Sequence, residues 1–486
     1  MAAPYDARVL PRSEHTLSRK DIDPDALKIL YRLHRAGYQA YLVGGGVRDL
    51  LLGRVPKDFD IGTDATPEEI LDLFRNSRVI GRRFPIVQVM FGRGRVFEVA
   101  TFRALDESED DDPSLSDQDS LEEKARLEAE ADQLDGDEDA PPSPGDDDDD
   151  EEEDDDAEDE EVSDDDEDSE DEAPPERRRR GRRSYDRGRH LLEFADQRYG
   201  TPAEDARRRD LTINGLFYSI GDFSVIDYVG GLDDLAAGVI RSIGDPDERF
   251  RGDPVRMIRA LRHAGRTGFR IDPETWDAIV RHRALLADCS KARLLEEFYR
   301  DLRGGAALPS LRLMRETGVL AELLPALDQF LPAVAEGEPL PLPWRRLELL
   351  DACVAQGEDF DNGLLLGLLL AFPLLDTLEA QEASGSRPDT GRVAYRFLKP
   401  LTARLGVARR DTEHLFLIAL SQRRLARCLE GHPVPGFFRS KPYFPSAYRL
   451  FELDAQARGL TPPPLIFGAG KRRRSRRRRR RRSERT

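Results

Sequence analysis

Residues 42–60 read LVGGGVRDLLLGRVPKDFD, and this stretch decides the class of fold. An apolar strand runs into three glycines that open a short helix. Glycine lets the backbone approach an anion closely, and the N–H groups at a helix N-terminus favour a phosphate. We therefore expect Gly44 and Gly45 to contact phosphate groups, with Arg48 as a fixed cationic fork beside them. Asp49 is expected to hold Arg48 in place.

Two carboxylates follow the glycine turn. Residues 57–61 (KDFDI) are typical of a strand, whose period of two puts Asp58 and Asp60 on one face and turns Phe59 and Ile61 to the core. Alone, an Asp-x-Asp is most often a solvated strand edge or turn. Like charges so close repel unless a cation neutralises them, and carboxylate oxygens suit a pair of Mg²⁺ ions. With the glycine turn, the pair predicts a metal-dependent nucleotidyl-transfer site.

A second polar group lies at residues 206–214, ARRRDLTIN. Arg208 and Arg209 could clamp a triphosphate and Asn214 could hydrogen-bond a ribose. Asp210 is interpreted either as a further catalytic carboxylate or as a sugar contact. The alternative for this group is a surface ion pair. Glu98, within the apolar run 96–102, is a second candidate for a third carboxylate, and the alternative is that it pairs with a neighbouring side chain.

A third polar group, residues 253–262 (DPVRMIRALR), places Asp253, Arg256 and Arg259 at successive steps of three on one helix face. A carboxylate beside a guanidinium presents an acceptor next to donors. This order matches the amine and ring nitrogen of adenine or cytosine and leaves guanine and uracil unpaired. The alternative is a solvated or internally paired arginine row.

Charge is distributed unevenly along the 486 residues. Residues 104–176 contain 41 acidic and two basic residues, whereas the whole chain has a net charge of −20, so the rest carries +19. The acidic segment has few apolar residues and is predicted to be disordered. Residues 471–486 include 12 basic residues and are predicted to be an unstructured polycation that contacts phosphates, or else a solubility tail.

The remaining patterns predict an α+β chain, with a mixed-sheet head followed by an all-α remainder. Strands rich in β-branched residues are expected near residues 79–102 and 215–228, and helical patterns continue from about residue 250. The three cysteines are far apart, which supports neither a disulfide framework nor a zinc site. The apolar run Gly363–Phe372 is too short to span a bilayer and is interpreted as a buried helix.

Together these motifs resemble class II of the nucleotidyltransferase superfamily, which includes bacterial poly(A) polymerases and CCA-adding tRNA nucleotidyltransferases. The family motif GG-x-x-RD followed by D-x-D matches residues 44–60, and RRD-x-x-x-N matches residues 208–214. The family's base-selecting motif, ED-x-x-R-x-x-R, falls on residues 252–259, where Gly252 replaces the expected glutamate. Residues 73–92 and the arginine-rich tail look like the poly(A) polymerase branch.

The resemblance implies a template-independent adenylyltransferase that extends RNA 3′ ends with ATP and uses two Mg²⁺ ions on Asp58 and Asp60. The cysteine pattern and the short apolar run predict a cytoplasmic protein without a membrane partner. RNA-decay proteins are candidate partners. The alternatives are CCA addition to tRNA and a non-catalytic RNA-binding adaptor. The expected organisation is a head at 1–103 and 191–240, a disordered insert at 104–190, a helical neck at 241–305, a helical body at 306–465 and a disordered tail at 466–486.

Overall fold

A computed structural model of the chain describes residues 7–81, 85–105, 199–334, 337–385, 388–429, 432, 434–462 and 467–468. Most of the acidic segment, all of Arg177–Arg183 and nearly all of the arginine-rich tail lie outside these residues. The predictions of disorder made for them therefore stay predictions, as do the domain boundaries.

Eight strands form one mixed sheet, in the order β1-β8-β7-β2-β3-β6-β5-β4. β3 pairs with β6 in parallel, and every other neighbouring pair is antiparallel. Strands from both sides of the acidic segment thus share this sheet. Its members are β1 (Arg8–Leu10), β2 (Ala40–Val43), β3 (Asp60–Thr63), β4 (Ser77–Ile80), β5 (Ile86–Met90), β6 (Val96–Thr101), β7 (Leu216–Ser219) and β8 (Val225–Asp227).

Five helices accompany the sheet, and local capping explains where two of them begin. The Asp23 side chain accepts a hydrogen bond from the Asp25 N–H at the start of α1. Thr66 and Glu69 form a capping box at the start of α3. The five helices are α1 (Pro24–Arg35), α2 (Gly45–Leu51), α3 (Pro67–Leu73), α4 (Pro202–Arg208) and α5 (Gly231–Ala237).

One face of the sheet packs against α1 and α3. Ile61, Val87 and Val99 point into this core together with Ile29 of α1 and Ile70 of α3. Because side chains alternate along a strand, residues between these positions point to the opposite face. That opposite face carries the polar residues at the end of β3.

The rest of the described chain is mainly helical and shares one large hydrophobic core. The predicted α+β class, with a mixed-sheet head and an all-α remainder, is confirmed. The helices are α6 (Pro246–Gly252), α7 (Val255–Thr267), α8 (Pro273–His282), α9 (Lys291–Leu302), α10 (Ala307–Glu316), α11 (Val319–Leu323), α12 (Pro325–Phe330), α13 (Leu342–Ala355), α14 (Asn362–Ala383), α15 (Thr390–Leu405), α16 (Arg409–Leu429) and α17 (Phe444–Ala457). The short strands are β9 (Val239–Ile240), β10 (Arg270–Ile271), β11 (Val434–Pro435) and β12 (Phe467–Gly468).

The helices α10, α11 and α14 test two expectations from the sequence. The pattern at 311–324 predicts one helix, but Gly318 has φ +78° and separates α10 from α11, because a left-handed residue ends a helical turn. The apolar run Gly363–Phe372 lies in α14, where it is buried as predicted. Among the described helices, α14 is long and apolar enough to cross a membrane by length and composition, but 72% of its most apolar window is buried inside the protein.

Candidate active site

The chain turns sharply between β2 and α2 at Gly44. Gly44 has φ +71°, a conformation that residues with a Cβ rarely adopt. A Cβ at this position would also lie only 2.8 Å from Nη1 of Arg209. The Gly44 N–H donates to the Leu216 carbonyl oxygen of β7 at 3.0 Å, which fixes the turn to the sheet. The turn and the Arg209 guanidinium therefore lie directly against each other.

Arg209 is held in this position by three separate contacts. Its Nη2 donates to Asp205 Oδ2 at 3.0 Å, and its Cζ lies 5.3 Å from the ring centroid of Phe217. The Arg249 side chain fixes the backbone by donating from Nη2 to the carbonyl oxygens of Arg208 and Arg209, at 2.7 and 2.6 Å. The Arg208 side chain donates from Nη1 to the Ala104 carbonyl oxygen at 2.6 Å. Arg209 is thus the member of the arginine pair that contacts the glycine turn.

Asp58 and Asp60 lie at the same end of the sheet as the glycine turn. The expected strand over residues 57–61 begins only at Asp60, so Asp58 belongs to the preceding loop. The reason lies in β2, whose last residue Val43 pairs with Asp60 before the chain turns at Gly44. Residues before Asp60 therefore have no partner on β2, and they do not continue the pairing with β6. The expectation that one strand carries both carboxylates is wrong.

The two carboxylates nevertheless act on each other. Burial raises the pKa of Asp60 above its usual value, the positive charge of Arg209 opposes this rise, and the negative charge of Asp58 adds to it. Asp60 is nevertheless exposed to solvent, so a ligand can reach it. Asp60, Asp58 and Arg209 are therefore neighbours in one open site.

The chemistry of this pair fits a divalent cation. Two hard carboxylate oxygen donors that repel each other are what Mg²⁺ prefers to bind, and a bound cation would relieve the repulsion. Within the described part of the chain, no three His, Cys, Asp or Glu side chains converge closely enough to hold a metal ion. Asp58 and Asp60 are the residues here that could hold a divalent cation.

Glu98 lies beside this pair in the sheet. Ile61 pairs with Val99, so the parallel register places Glu98 next to Asp60 on the same face. Gln88 on the next strand donates from Nε2 to Glu98 Oε1 at 3.3 Å. Glu98 is thus close to the carboxylate pair in the sheet but forms no three-carboxylate cluster with it, and its proposed role as a third carboxylate stays a prediction.

Asp210 is buried, and protein groups occupy both of its carboxylate oxygens. Oδ1 accepts from the Leu211 N–H at 2.8 Å and from Asn214 Nδ2 at 3.0 Å. Oδ2 accepts from Arg259 Nε at 3.1 Å. Burial alone would raise the pKa of Asp210, but the charges of Arg259 and Arg256 and these hydrogen bonds outweigh it, so the pKa lies below its usual value. Asp210 is therefore an ionised group that joins the segment Leu211–Asn214 to Arg259 on α7.

Arg48 is also buried, and all three of its nitrogens contact protein groups. Nε and Nη2 each lie 2.8 Å from Asp49 Oδ1, which is the role predicted for Asp49. Nη1 donates to Asn214 Oδ1 at 2.6 Å and lies 3.2 Å from Nδ1 of His263 on α7. Arg48, Asn214, Asp210 and Arg259 therefore form a continuous polar chain from the glycine turn to α7.

His263 is a member of this chain that the sequence motifs do not indicate. Burial lowers its pKa well below the usual value, and the charges of Arg48, Arg262, Arg259 and Arg266 lower it further. The ring is therefore neutral, and Nδ1 accepts the hydrogen bond from Arg48. Its position one turn after Arg259 on α7 is the only sequence signal that could have identified it.

One of the three expected base-selecting residues, Asp253, does not lie on the helix where the sequence pattern places it. Asp253 is extended, with φ −141°, and precedes α7 rather than lying on it, because Pro254 disfavours a helical conformation for the residue before it. Asp253 still lies near Arg256, at 3.8 Å between Oδ2 and Nε, and both are buried. Arg293 of α9 donates to Asp253 Oδ2 at 2.6 Å and is a second residue that the motifs missed.

Comparisons with known proteins agree with this arrangement. The family model described as "Poly A polymerase head domain" matches residues 40–135 and 153–241, and the model described as "Probable RNA and SrmB- binding site of polymerase A" matches residues 268–331. Poly(A) polymerase I of Salmonella typhi is 34% identical over 456 residues, covering 93% of this chain and 83% of that protein. A CCA-adding enzyme of Bacillus velezensis is 29% identical and covers 65% of this chain and 59% of that protein.

Solved structures show the same fold. The crystal structure of the Bacillus stearothermophilus CCA-adding enzyme in complex with CTP superposes with a TM-score of 0.51 at 22% identity, and the match covers 90% of this chain and 82% of that one. The sequence similarity to poly(A) polymerase I extends over more of both chains than the similarity to the CCA-adding enzyme. The chain belongs to the poly(A) polymerase I family of nucleotidyltransferases.

Proposed function

We propose that the chain transfers AMP from ATP to the 3′-hydroxyl of RNA without a template and releases pyrophosphate. The observation that carries this proposal is the carboxylate pair Asp58 and Asp60 beside Arg209 and the Gly44 turn. Arg209 opposes the rise in the pKa of Asp60, so its charge acts directly on the carboxylate site. A triphosphate at this site would have its charge neutralised by Arg209 on one side and by the Mg²⁺ that Asp58 and Asp60 would hold on the other.

The residues of the turn bind and orient the nucleotide. The backbone at Gly44 and Gly45 and the Arg209 guanidinium hold phosphate oxygens, so that the α-phosphorus faces the carboxylates. The RNA 3′-hydroxyl then attacks in line with the departing pyrophosphate, and the geometry of the bound groups supplies much of the rate. Mg²⁺ bound to Asp58 and Asp60 would lower the pKa of the attacking hydroxyl and stabilise phosphate charge.

Three further motif residues are assigned to positioning. Arg48, Asp210 and Asn214 are buried and form hydrogen bonds with protein groups. Arg48 supports the glycine turn. Asn214 and Asp210 connect Arg48 to Arg259 on α7. These residues would keep the turn and the base-selecting region at a fixed separation. Arg208 acts similarly through its backbone carbonyl, which accepts from Arg249.

Base selection is proposed for Asp253 and Arg256. Arg259, one turn further along α7, bonds to Asp210 instead. The acceptor and donors of the Asp253 and Arg256 pair match adenine or cytosine. Arg256 Nη2 lies 3.5 Å from the Arg208 carbonyl oxygen, and Arg293 holds Asp253, so both side chains are covered. A base can reach the pair only after Arg256 turns away from this carbonyl.

We expect RNA to contact the helices that follow α7, and we expect the reaction to take place in the cytoplasm. The matched family region at residues 268–331 supports RNA contacts in the helices that follow α7. RNA-decay proteins are the partners expected of an enzyme that extends RNA 3′ ends, and the cytoplasm is the expected compartment. Mg²⁺ is the expected metal because its ligands would be carboxylate, phosphate and water oxygens.

The test uses the full chain, a generic RNA primer, Mg²⁺ and each nucleoside triphosphate offered separately. ATP alone should give long tails and pyrophosphate, and Asp60→Asn should lower the rate by about a thousandfold because one transition-state ligand is lost. Asp72→Asn is the matched control, since Asp72 is exposed on α3. Addition of a fixed trinucleotide to tRNA from CTP and ATP would instead assign CCA addition. Unchanged tailing by Asp60→Asn, or no pyrophosphate with any nucleotide, would refute the proposal.

A further inference from the structure

A groove with a basic rim lies on the face of the sheet away from the carboxylate pair. It is enclosed by α1, by the residues that follow α3 and by β5, and has a volume of about 960 Å³. Its floor includes Phe74 and Val89, which belong to the core on the side opposite Asp60. A volume of this size is in the range of clefts that bind a ligand. We call it the α1–α3 groove.

The cations of the groove lie over aromatic rings rather than beside carboxylates. Arg32 Cζ lies 5.2 Å from the ring centroid of Phe74, and Arg35 Cζ lies 5.9 Å from that of Tyr31. Arg32, Arg35 and Arg75 are all exposed. In the part of the chain that the structure describes, none of these three arginines contacts a carboxylate. Their guanidinium N–H groups therefore face solvent and are available to an anion.

The fourth cation of the groove differs from the arginines in having an acidic partner. Lys28 Nζ donates to Asp25 Oδ1 at 2.6 Å and lies 5.8 Å from the ring centroid of Phe91. Asp25 itself is buried at the base of α1, so the outer edge of the rim keeps a positive charge. Three guanidinium groups that contact no carboxylate among the described residues would repel each other, and a bound anion relieves this repulsion.

The combination of an aromatic floor and an unpaired guanidinium rim matches a single-stranded nucleic acid. Phosphates suit the guanidinium forks, and unpaired bases stack on aromatic rings and on guanidinium planes. A duplex does not offer its base faces to such a floor. An acidic peptide would satisfy the guanidinium N–H groups but would leave the flat faces of the guanidinium groups over Phe74 and Tyr31 without a stacking partner.

We propose that the α1–α3 groove is a second RNA site, which binds single-stranded RNA upstream of the 3′ end held at Asp58 and Asp60. The choice of RNA rests on the proposed function. The groove lies on the other face of the sheet, so an RNA must pass around the head to fill both sites. A short primer reaches only the catalytic site, whereas a long tail fills both and binds more tightly.

The test compares the double variant Arg32→Ala, Arg75→Ala with the control Arg12→Ala, Lys20→Ala, which removes the same charge from exposed head positions. Equilibrium binding of long and short oligo(A) to the full chain is measured across a salt series. Loss of two phosphate contacts should lower the salt dependence of long oligo(A) binding by about 1.4 in slope, at about 0.7 per contact. Affinity for long oligo(A) should fall about tenfold at low salt, and short oligo(A) should bind as before.

A photo-crosslinking residue in place of Tyr31 identifies the occupant directly. Crosslinks from position 31 to long oligo(A), competed by unlabelled RNA, support the proposal. Crosslinks to the protein's own acidic segment, or an equal loss of affinity in the control variant, would overturn it. Because binding is read without catalysis, a chain that binds long oligo(A) in the groove but never extends RNA would refute the proposed function and leave this site standing.

Discussion

Asp301 of α9 offers a quantitative test of the packing beneath α7. It is 1% exposed, and neither carboxylate oxygen has a hydrogen-bond partner in the described part of the chain. Burial raises the pKa of Asp301 to about 8, and the charge of Glu297 raises it, whereas those of Arg262 and Arg266 lower it. At neutral pH the group is therefore a protonated acid in the folded protein.

The sign and size of the effect follow from proton linkage. In the unfolded chain the Asp301 carboxyl titrates near its ordinary value of about 4. Between that value and about 8 the folded state binds one more proton than the unfolded state, so the free energy of unfolding falls as pH rises, by about 1.4 kcal/mol per pH unit. Asp301→Asn removes this dependence. The stability of the variant relative to wild type should therefore rise by about 2 kcal/mol between pH 6 and pH 8.

The assay is urea unfolding of the full chain at several pH values, followed by circular dichroism. Asp277→Asn is the control, because Asp277 is exposed on α8 and is hydrated in both states. The free-energy difference between Asp301→Asn and wild type should grow from pH 6 to pH 8, while that of the control stays level. A difference that is the same at every pH would show that Asp301 is ionised in the folded protein and that the reasoning from its burial is wrong.

Three further predictions concern the candidate site. Gly44→Ala should raise KM for ATP about tenfold, because the new Cβ displaces Arg209. Gly53→Ala is the control: Gly53 also has a positive φ, +68°, but a Cβ there would meet nothing within 4 Å, so this variant should lose stability alone. Equal ATP kinetics in the two variants would contradict the prediction. Arg48→Lys should lower the free energy of unfolding by about 2 kcal/mol, since a lysine cannot make the contacts of the fork. A raised KM with unchanged stability in a urea titration would instead show that Arg48 binds the nucleotide. Arg293→Met should reduce discrimination against GTP and UTP about tenfold, because Asp253 loses its ion pair, and unchanged kcat/KM ratios for the four nucleotides would exclude that role.

Local chemistry made much of the head predictable. The capping residues Asp23 and Thr66 marked the starts of α1 and α3, because a side chain that bonds the first free N–H groups acts within three residues. The strands near residues 79–102 follow from β-branched composition for the same local reason. The α14 helix was recognised as buried because a ten-residue apolar run is too short for a membrane span and too apolar for a surface.

The sequence misplaced or missed residues whose position depends on a partner distant in sequence or on the backbone preference of a neighbouring proline. Asp58 lies outside β3 because β2 ends at Val43, a limit set by the partner strand. Asp253 lies off the helix because it precedes Pro254, a rule that the sequence did display. His263 and Arg293 were missed because each gains its role through a residue far away in sequence, Arg48 and Asp253 respectively.

The motif residues separate into two groups that their sequence positions do not distinguish. Arg48, Asp210 and Asn214 form a chain of hydrogen bonds that ends at Arg259, so these contacts hold parts of the protein together. Arg209 instead contacts the glycine turn and acts on Asp60. A guanidinium that is already satisfied by carboxylates and amides has no N–H groups left for a phosphate. Burial and saturation of hydrogen bonds, rather than motif membership, are therefore the grounds on which we propose that Arg209, and not Arg48, contacts the nucleotide.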